Sequence, residues 1–391
     1  MTASPHAVDA RVITGGEAVA EAMRQIDPDV VPVYPITPQT PMIQGFARFV
    51  ADGRATGEIV NVESEHSAMS AAIGSALAGA RTITATSSQG LALMAEVVYI
   101  AAAMRAPVVM AVGNRALSGP INIHCDHSDS MLVRDSGAIQ LFAENAQEAY
   151  DLMVMAPRIA EQRDVLLPVL VCQDGFTITH SAEPVTLLAD EAVRAFVGAY
   201  RIPNPLLDVG DPTTQGPFAM PDSYFELRYQ QVDAMAAALR AFAAVAVDFE
   251  ALSGRRYRVV EPYRLAGAER AIVCLGSTGG TVKDVVDELR GQGEKVGLLE
   301  IRSFRPLPRA ALRRALRAVG KVAVLDRADS PGGLPPLAAE VTAAIGRPVG
   351  SYVYGLGGRD LRPEEIRELL LEEVGAGSIR YVGLRGMPCR A

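Results

Sequence analysis

Residues 82–113 read TITATSSQGLALMAEVVYIAAAMRAPVVMAVG, and this stretch decides the fold. Its first five residues are mostly β-branched, which suits a buried strand. A polar turn follows, Thr86-Ser87-Ser88-Gln89-Gly90. Residues 91–103 are helix formers with no internal proline, and Arg105 and Pro107 close them off. A second apolar run, 108–112, is strand-like again and ends on Gly113. Strand, turn, helix and strand in one continuous unit require the two strands to lie parallel.

The same alternation runs outward on both sides. Strands are predicted at 30–34, 59–62 and 168–172, and helices at 16–25, 40–50, 65–78 and 146–161. That order predicts an α/β parallel sheet with helices on both faces. Residues 200–223 then carry Pro203, Pro205, Pro212, Pro217 and Pro221 with Gly210 and Gly216, an irregular extended connection. A helical run over 225–245 follows, to pack on one of the domains or on a partner chain. The alternation resumes with strands at 271–275, 296–300, 322–326 and 349–354, and helices at 283–290, 309–318, 336–344 and 363–373. The expected division is a first domain over 1–262, with an arm at about 183–262, and a smaller α/β domain over 263–391.

Bulk properties exclude several classes. With 391 residues and 49% of them hydrophobic, the chain can fill two cores. The net charge is −8 and no basic run is present, so nucleic acid is not an expected partner. The apolar stretch 165–172 is too short to span a bilayer, and Arg105 and Pro107 interrupt 99–113. Residues 1–10 hold His6 and Asp9 and no apolar signal region, which points to the cytoplasm and away from a membrane. Cys125, Cys172, Cys274 and Cys389 form no CxxC pair, so neither a zinc site nor an iron–sulfur cluster is expected on this chain. Scattered thiols suit a reducing compartment.

Four loops carry polar chemistry. In Tyr34-Pro35-Ile36-Thr37-Pro38, two prolines fix the backbone around Thr37, whose hydroxyl can either meet a ligand or cap the next helix. In Glu63-Ser64-Glu65-His66, Ser64 can cap a helix, and Glu65 can favour its positive end or donate to a heterocycle nitrogen. The small residues Ala68, Ala71, Ala72, Gly74 and Ala76 behind it allow close helix packing or the approach of a flat ligand. The loop with Ser88 and Gln89 offers hydroxyls and N–H groups but lacks P-loop spacing. The densest segment runs from Asn114 to Asp129; Arg115 there can grip a carboxylate or form a structural ion pair. His124, Cys125, Asp126 and His127 are metal-ligand types, but neighbouring side chains diverge, so a hydrogen-bonded loop is expected and no metal is assigned. In the second half, 275–280 reads as a close-packing turn, and 331–333 and 355–360 as similar turns facing a partner subunit.

Together these segments resemble the alpha chain of the 2-oxoacid:ferredoxin oxidoreductases, the pyruvate-acting branch above all. The resemblance runs through Tyr34–Pro38, Glu63 to Glu65, Thr86 to Gly90, Asn114 to Asn122 and Asp126 to Asp129, then the proline-rich connection and the second domain. It implies a pyrimidine-binding-type thiamine diphosphate domain followed by a domain like the carboxy-terminal one of transketolases. Glu65 then bonds the aminopyrimidine and promotes its imino tautomer, with Pro35, Ile36, Ser88 and Gln89 beside the cofactor. Thr37, Arg115 and Asn122 are implied as substrate contacts. A GDG metal–diphosphate motif is absent; Gln173-Asp174-Gly175 departs at its first position. The family puts that motif and Mg2+ on the beta chain, the iron–sulfur clusters on other chains, and part of the coenzyme A site on the gamma chain. The implied reaction is decarboxylation of pyruvate to acetyl-CoA and CO2 with electrons passed to ferredoxin, or the reverse, in a complex with beta, gamma and delta-type subunits. His124 departs from the aromatic residue usual in relatives. Another 2-oxoacid (2-oxoglutarate, a branched-chain acid or an aryl glyoxylate), a transketolase-like transferase and a non-catalytic scaffold subunit are the alternatives.

Overall fold

The computed structural model describes residues 7–372 and 377–386, so Cys389 lies outside the described residues. The quoted stretch forms strand Ile83–Thr86, paired parallel with Val109–Asn114. Val109–Asn114 pairs parallel with Val169–Asp174, and that strand with Ile139–Phe142. Strands Val30–Val33 and Glu58–Asn61 form a parallel pair, joined to the sheet by one bridge from Val30 to Thr82. Every residue of Ile83–Thr86, Val109–Asn114 and Val169–Asp174 is buried. Such continuously apolar strands are what a parallel sheet covered on both faces demands.

The helix expected over 91–103 is two helices, Ser88–Leu93 and Ala95–Ala103, meeting at Met94. The sequence reading also missed strand Ile139–Phe142, helix Asp190–Val197, and an antiparallel ribbon of Ala7–Thr14 on Ala182–Leu188. The long helix after the proline-rich connection is Tyr224–Ser253, stopped by Gly254 in the left-handed region.

The second sheet runs Ile379–Tyr381, Gly350–Val353, Lys321–Asp326, Arg270–Cys274, Val296–Ile301 and Val260–Tyr263, parallel except for the last strand. The next strand, Ser303–Arg305, leaves this sheet and pairs antiparallel with Ile139–Phe142 at the edge of the first. One apolar cluster therefore spans both halves: Leu91, Met110, Phe142 and Leu170 share it with Val273, Leu299, Phe304 and Leu312. Phe142 meets Phe304 edge-on, ring centroids 6.3 Å apart. Such a pair adds about 0.5–1.5 kcal/mol beyond the area it buries. Among the described residues no helix is long and apolar enough to cross a membrane.

Candidate active site

Helix Glu65–Ala78 starts where strand Glu58–Asn61 has ended, and Ser64 caps it by accepting from the Ser67 N–H at 3.2 Å. Ser64 does the capping, which leaves the side chain of Glu65 unspent. Glu65 is only 7% exposed, yet no hydrogen bond or ion pair engages its carboxylate among the described residues. Its wall is Gly90: a Cβ there would stand 2.7 Å from Glu65 Oε1 and 2.5 Å from Thr86 Oγ1. Thr86 Oγ1 and Gln89 Nε2 are themselves buried without a partner. Buried polar atoms are nearly always satisfied, so the open groups of Thr86 and Gln89 beside Gly90 are available to a ligand, as is the Glu65 carboxylate. The positive end of the helix faces the same spot.

Arg115 lies at the end of strand Val109–Asn114 and is 7% exposed. Its Nε donates to Asn122 O and its Nη1 to Thr37 O, each at 2.9 Å. No carboxylate pairs with it, so the structural ion pair allowed by the sequence is not formed among the described residues. Burial lowers its pKa, opposed by the charge of Asp129. A guanidinium with two donors spent on backbone carbonyls and no carboxylate partner keeps N–H groups available to an anion. Thr37 is exposed beside it, in a loop with exposed Pro35 and half-buried Ile36. Thr37 does not cap the following helix; the N-cap of Thr40–Ala51 is Gln39, with no side-chain cap bond.

Other expected residues are engaged in holding the loops. Ser88 Oγ donates to Ala116 O at 2.5 Å and lies 2.7 Å from Gln89 Oε1. Asn122 Nδ2 donates to Gly357 O at 3.0 Å, and its Oδ1 accepts from the His124 N–H at 2.7 Å. The Gly357 N–H in turn donates to Asp126 Oδ2 at 3.2 Å, and a Cβ on Gly358 would strike His124. The turn over 355–360 therefore packs against this chain's own Asn122–Asp126 loop through Gly357 and Gly358, while Leu356, Arg359 and Asp360 are exposed. His124 stacks on Phe176 at 5.2 Å, and Phe176 on His180 at 4.7 Å.

Two buried carboxylates were missed as organisers. Asp129 Oδ2 accepts from the backbone N–H of Ser88 at 2.9 Å and of Arg115 at 3.0 Å, and Oδ1 accepts from Asn114 Nδ2 at 2.8 Å. It ties the Glu65 side of the site to the Arg115 side; burial pushes its pKa up to about 6 against those hydrogen bonds. Asp174 receives His127 Nε2 at 2.7 Å, Arg327 Nη1 at 2.7 Å and Ser277 Oγ at 2.5 Å. Burial alone would raise Asp174, but His127 and Arg327 hold it well below the usual carboxylate range. A Cβ on Gly276 would lie 2.9 Å from the same carboxylate, so the 275–280 turn is a close-packing turn. The polar run from Asn114 to Asp129 was the available signal for Asp129; Ser277 and Arg327 gave none, because only folding brings them to residue 174.

Comparisons with known proteins identify the family and the fold. Residues 21–246 match the family model described as "Pyruvate flavodoxin/ferredoxin oxidoreductase, thiamine diP-bdg". Residues 268–366 match "Pyruvate:ferredoxin oxidoreductase core domain II". Pyruvate synthase subunit PorA of Thermotoga maritima is 55% identical over 97% of this chain and 99% of its own. The PorA subunit of Methanocaldococcus jannaschii is 47% identical over 96% and 98%. Ketoisovalerate oxidoreductase subunit VorA of Pyrococcus horikoshii is 39% identical over 92% of each chain. In fold, the chain resembles the 2-oxoglutarate:ferredoxin oxidoreductase of Magnetococcus marinus at TM-score 0.74 and 22% identity, covering 92% of this chain and 64% of that one. A split-gene transketolase is similar at TM-score 0.55 and 14% identity, covering 92% and 97%. Fold and site define a thiamine diphosphate-binding α/β protein. The chain belongs to the pyruvate flavodoxin/ferredoxin oxidoreductase family.

Proposed function

We propose that this chain is the alpha subunit of a multi-subunit enzyme that decarboxylates pyruvate oxidatively with coenzyme A, passing electrons to ferredoxin, or runs the reverse carboxylation. The observation that carries this reading is Arg115, buried without a counter-ion and tethered to the Thr37 carbonyl. It offers its remaining N–H groups to the carboxylate of a small 2-oxoacid, and the Thr37 hydroxyl is free to donate to the neighbouring keto oxygen. The 55% identity to a pyruvate synthase subunit supports pyruvate as that acid.

Glu65, Thr86 and Gln89, with Pro35 and Ile36 alongside, fit the pyrimidine half of thiamine diphosphate, because Glu65 Oε1 and Thr86 Oγ1 both border Gly90 and are otherwise unspent. When bound, thiamine diphosphate supplies the carbanion chemistry of decarboxylation. Glu65 would hold a proton at a ring nitrogen, with Gly90 forming the wall beside its carboxylate. Ser88 and Asn122 hold the two loops in position.

The diphosphate and Mg2+ are assigned to a beta subunit and the iron–sulfur clusters to other subunits of a beta, gamma and delta type. Support comes from the departure of Gln173-Asp174-Gly175 from the metal motif and from the buried, unpaired thiols of Cys125, Cys172 and Cys274. Burial pushes all three thiols well up, which leaves them poor ligands and suits a reducing cytoplasm. The proposed division is 1–262 and 263–391, with the first part carrying the cofactor loops and strand Val260–Tyr263 of the second sheet straddling the boundary.

The test is purification of the assembled complex and measurement of coenzyme A-dependent ferredoxin reduction with a panel of 2-oxoacids. Pyruvate should give the highest kcat/KM. A higher value for 2-oxoisovalerate, the acid the VorA relative points to, would move the substrate assignment to branched-chain acids.

A further inference from the structure

Helix Tyr224–Ser253 packs one face against the helices Ala146–Ala160 and Ala95–Ala103 that cover the first sheet. Ala234, Ala238, Phe242, Val245 and Phe249 supply that buried face. A second face, which should be polar on a solvated helix, carries Phe225 at 76% exposure, Tyr229, Val232 at 59% and Val247 at 66%. Their spacing keeps them on one stripe over about 33 Å of helix, at 1.5 Å per residue.

Opposite the stripe stand the turn after Ser303–Arg305 and the helix Arg309–Leu316. Between the two walls lie adjoining hollows of about 840 and 720 Å³, which share Leu239 and Arg309. The rim is basic. Arg228, Arg309 and Arg314 line it and make no side-chain hydrogen bond or ion pair among the described residues. Arg134 and Arg256, also in the lining, pair with Asp135 and Glu250 at 3.7 Å and leave the net charge there to the other three. The chain as a whole is acidic, at −8, so this concentration of unpaired arginine is local.

We propose that this groove is a docking surface for an acidic, amphipathic segment of another polypeptide. The apolar floor takes an apolar stripe, and the three unpaired guanidiniums take carboxylates along its edges. Floor and rim together run much longer than a small anion, which would use one or two arginines and leave the stripe exposed. None of the residues named here belongs to the loops of the catalytic site, so the inference stands apart from the proposed chemistry. Arginines that recognise carboxylates steer association and lose their grip at high salt.

Phenylglyoxal labelling of arginines, read by mass spectrometry, tests this on the assembled complex and on the isolated full chain. Arg228, Arg309 and Arg314 should be protected severalfold in the complex, open in the isolated chain, and open again in the complex at high salt. The triple variant Arg228→Glu, Arg309→Glu, Arg314→Glu should release one polypeptide from the complex while the isolated chain keeps its Tm. Equal labelling in both preparations overturns the proposal. So does concentration-dependent protection in the isolated chain, which would identify a second copy as the occupant. Full protection of the isolated chain by inorganic phosphate or diphosphate overturns it as well, in favour of a small-anion site.

Discussion

Gly90 presses its bare Cα against the Glu65 carboxylate, so close that a methyl group there would stand 2.7 Å from Oε1. Gly90→Ala should therefore push Glu65 off its ligand while leaving helix Ser88–Leu93 intact. The thiamine diphosphate concentration for half-maximal activity should rise about tenfold or more, equivalent to about 1.4 kcal/mol. A cofactor titration beside a Tm measurement checks this; an unchanged titration would mean the carboxylate meets no ligand.

Glu65→Gln keeps the shape and removes the acid. The rate should fall by about 10²–10⁴, the usual worth of a positioned proton-transfer group. Circular dichroism should be unchanged, since Ser64 and not Glu65 caps the helix. A scaffold subunit would instead tolerate the change in steady-state turnover of the complex.

Arg115→Ala removes the unpaired guanidinium and two bonds to backbone carbonyls. KM for the 2-oxoacid should rise more than kcat falls, by about 10–100-fold for a lost charge-assisted contact of roughly 1.5–3 kcal/mol. Arg115→Lys should recover only part, because an ammonium cannot reach both carbonyls and a carboxylate with the same fork.

Asp129 gives a pH test with a definite sign. Burial raises its carboxyl from 3.8 to about 6, so the folded state holds this proton more tightly than the unfolded chain does. Its contribution to stability is present in full below pH 3.8 and is lost as pH rises through about 6. The urea midpoint of the wild type should fall across that window relative to Asp129→Asn, and the two curves should run parallel above it.

Asp174→Ala would strand Arg327, buried beside His127 with its Nε already unpartnered. Breaking such a buried pair costs about 3–5 kcal/mol. Denaturant unfolding should show that loss, and Arg327→Met in the same background should restore part of it.

The sheet-forming strands were legible because apolar β-branched runs alternate with amphipathic helices, as in 82–113. The loops carrying Glu65, Gln89, Thr37 and Arg115 were legible as strand-end loops, while the roles proposed for these residues came from the family resemblance. What stayed hidden depends on tertiary pairing. Ile139–Phe142 has four residues and Ser303–Arg305 three, too short for a periodic signal, and each is a strand only through its neighbours. Thr37 looked like a cap by residue type, but the helix begins three residues later. The turn at 355–360 shows no target in sequence, because Asn122 lies 235 residues away.

The strand Ser303–Arg305 also bears on how such a gene can be divided. It lends the amino-terminal sheet its outermost rung from far down the polypeptide. A chain severed near Gly254 would leave Ile139–Phe142 with naked N–H and C=O groups, an invitation to self-association. Its carboxy-terminal piece would carry Phe304 uncovered in water. Fission at that junction would yield two fragments whose exposed surfaces are covered only by each other.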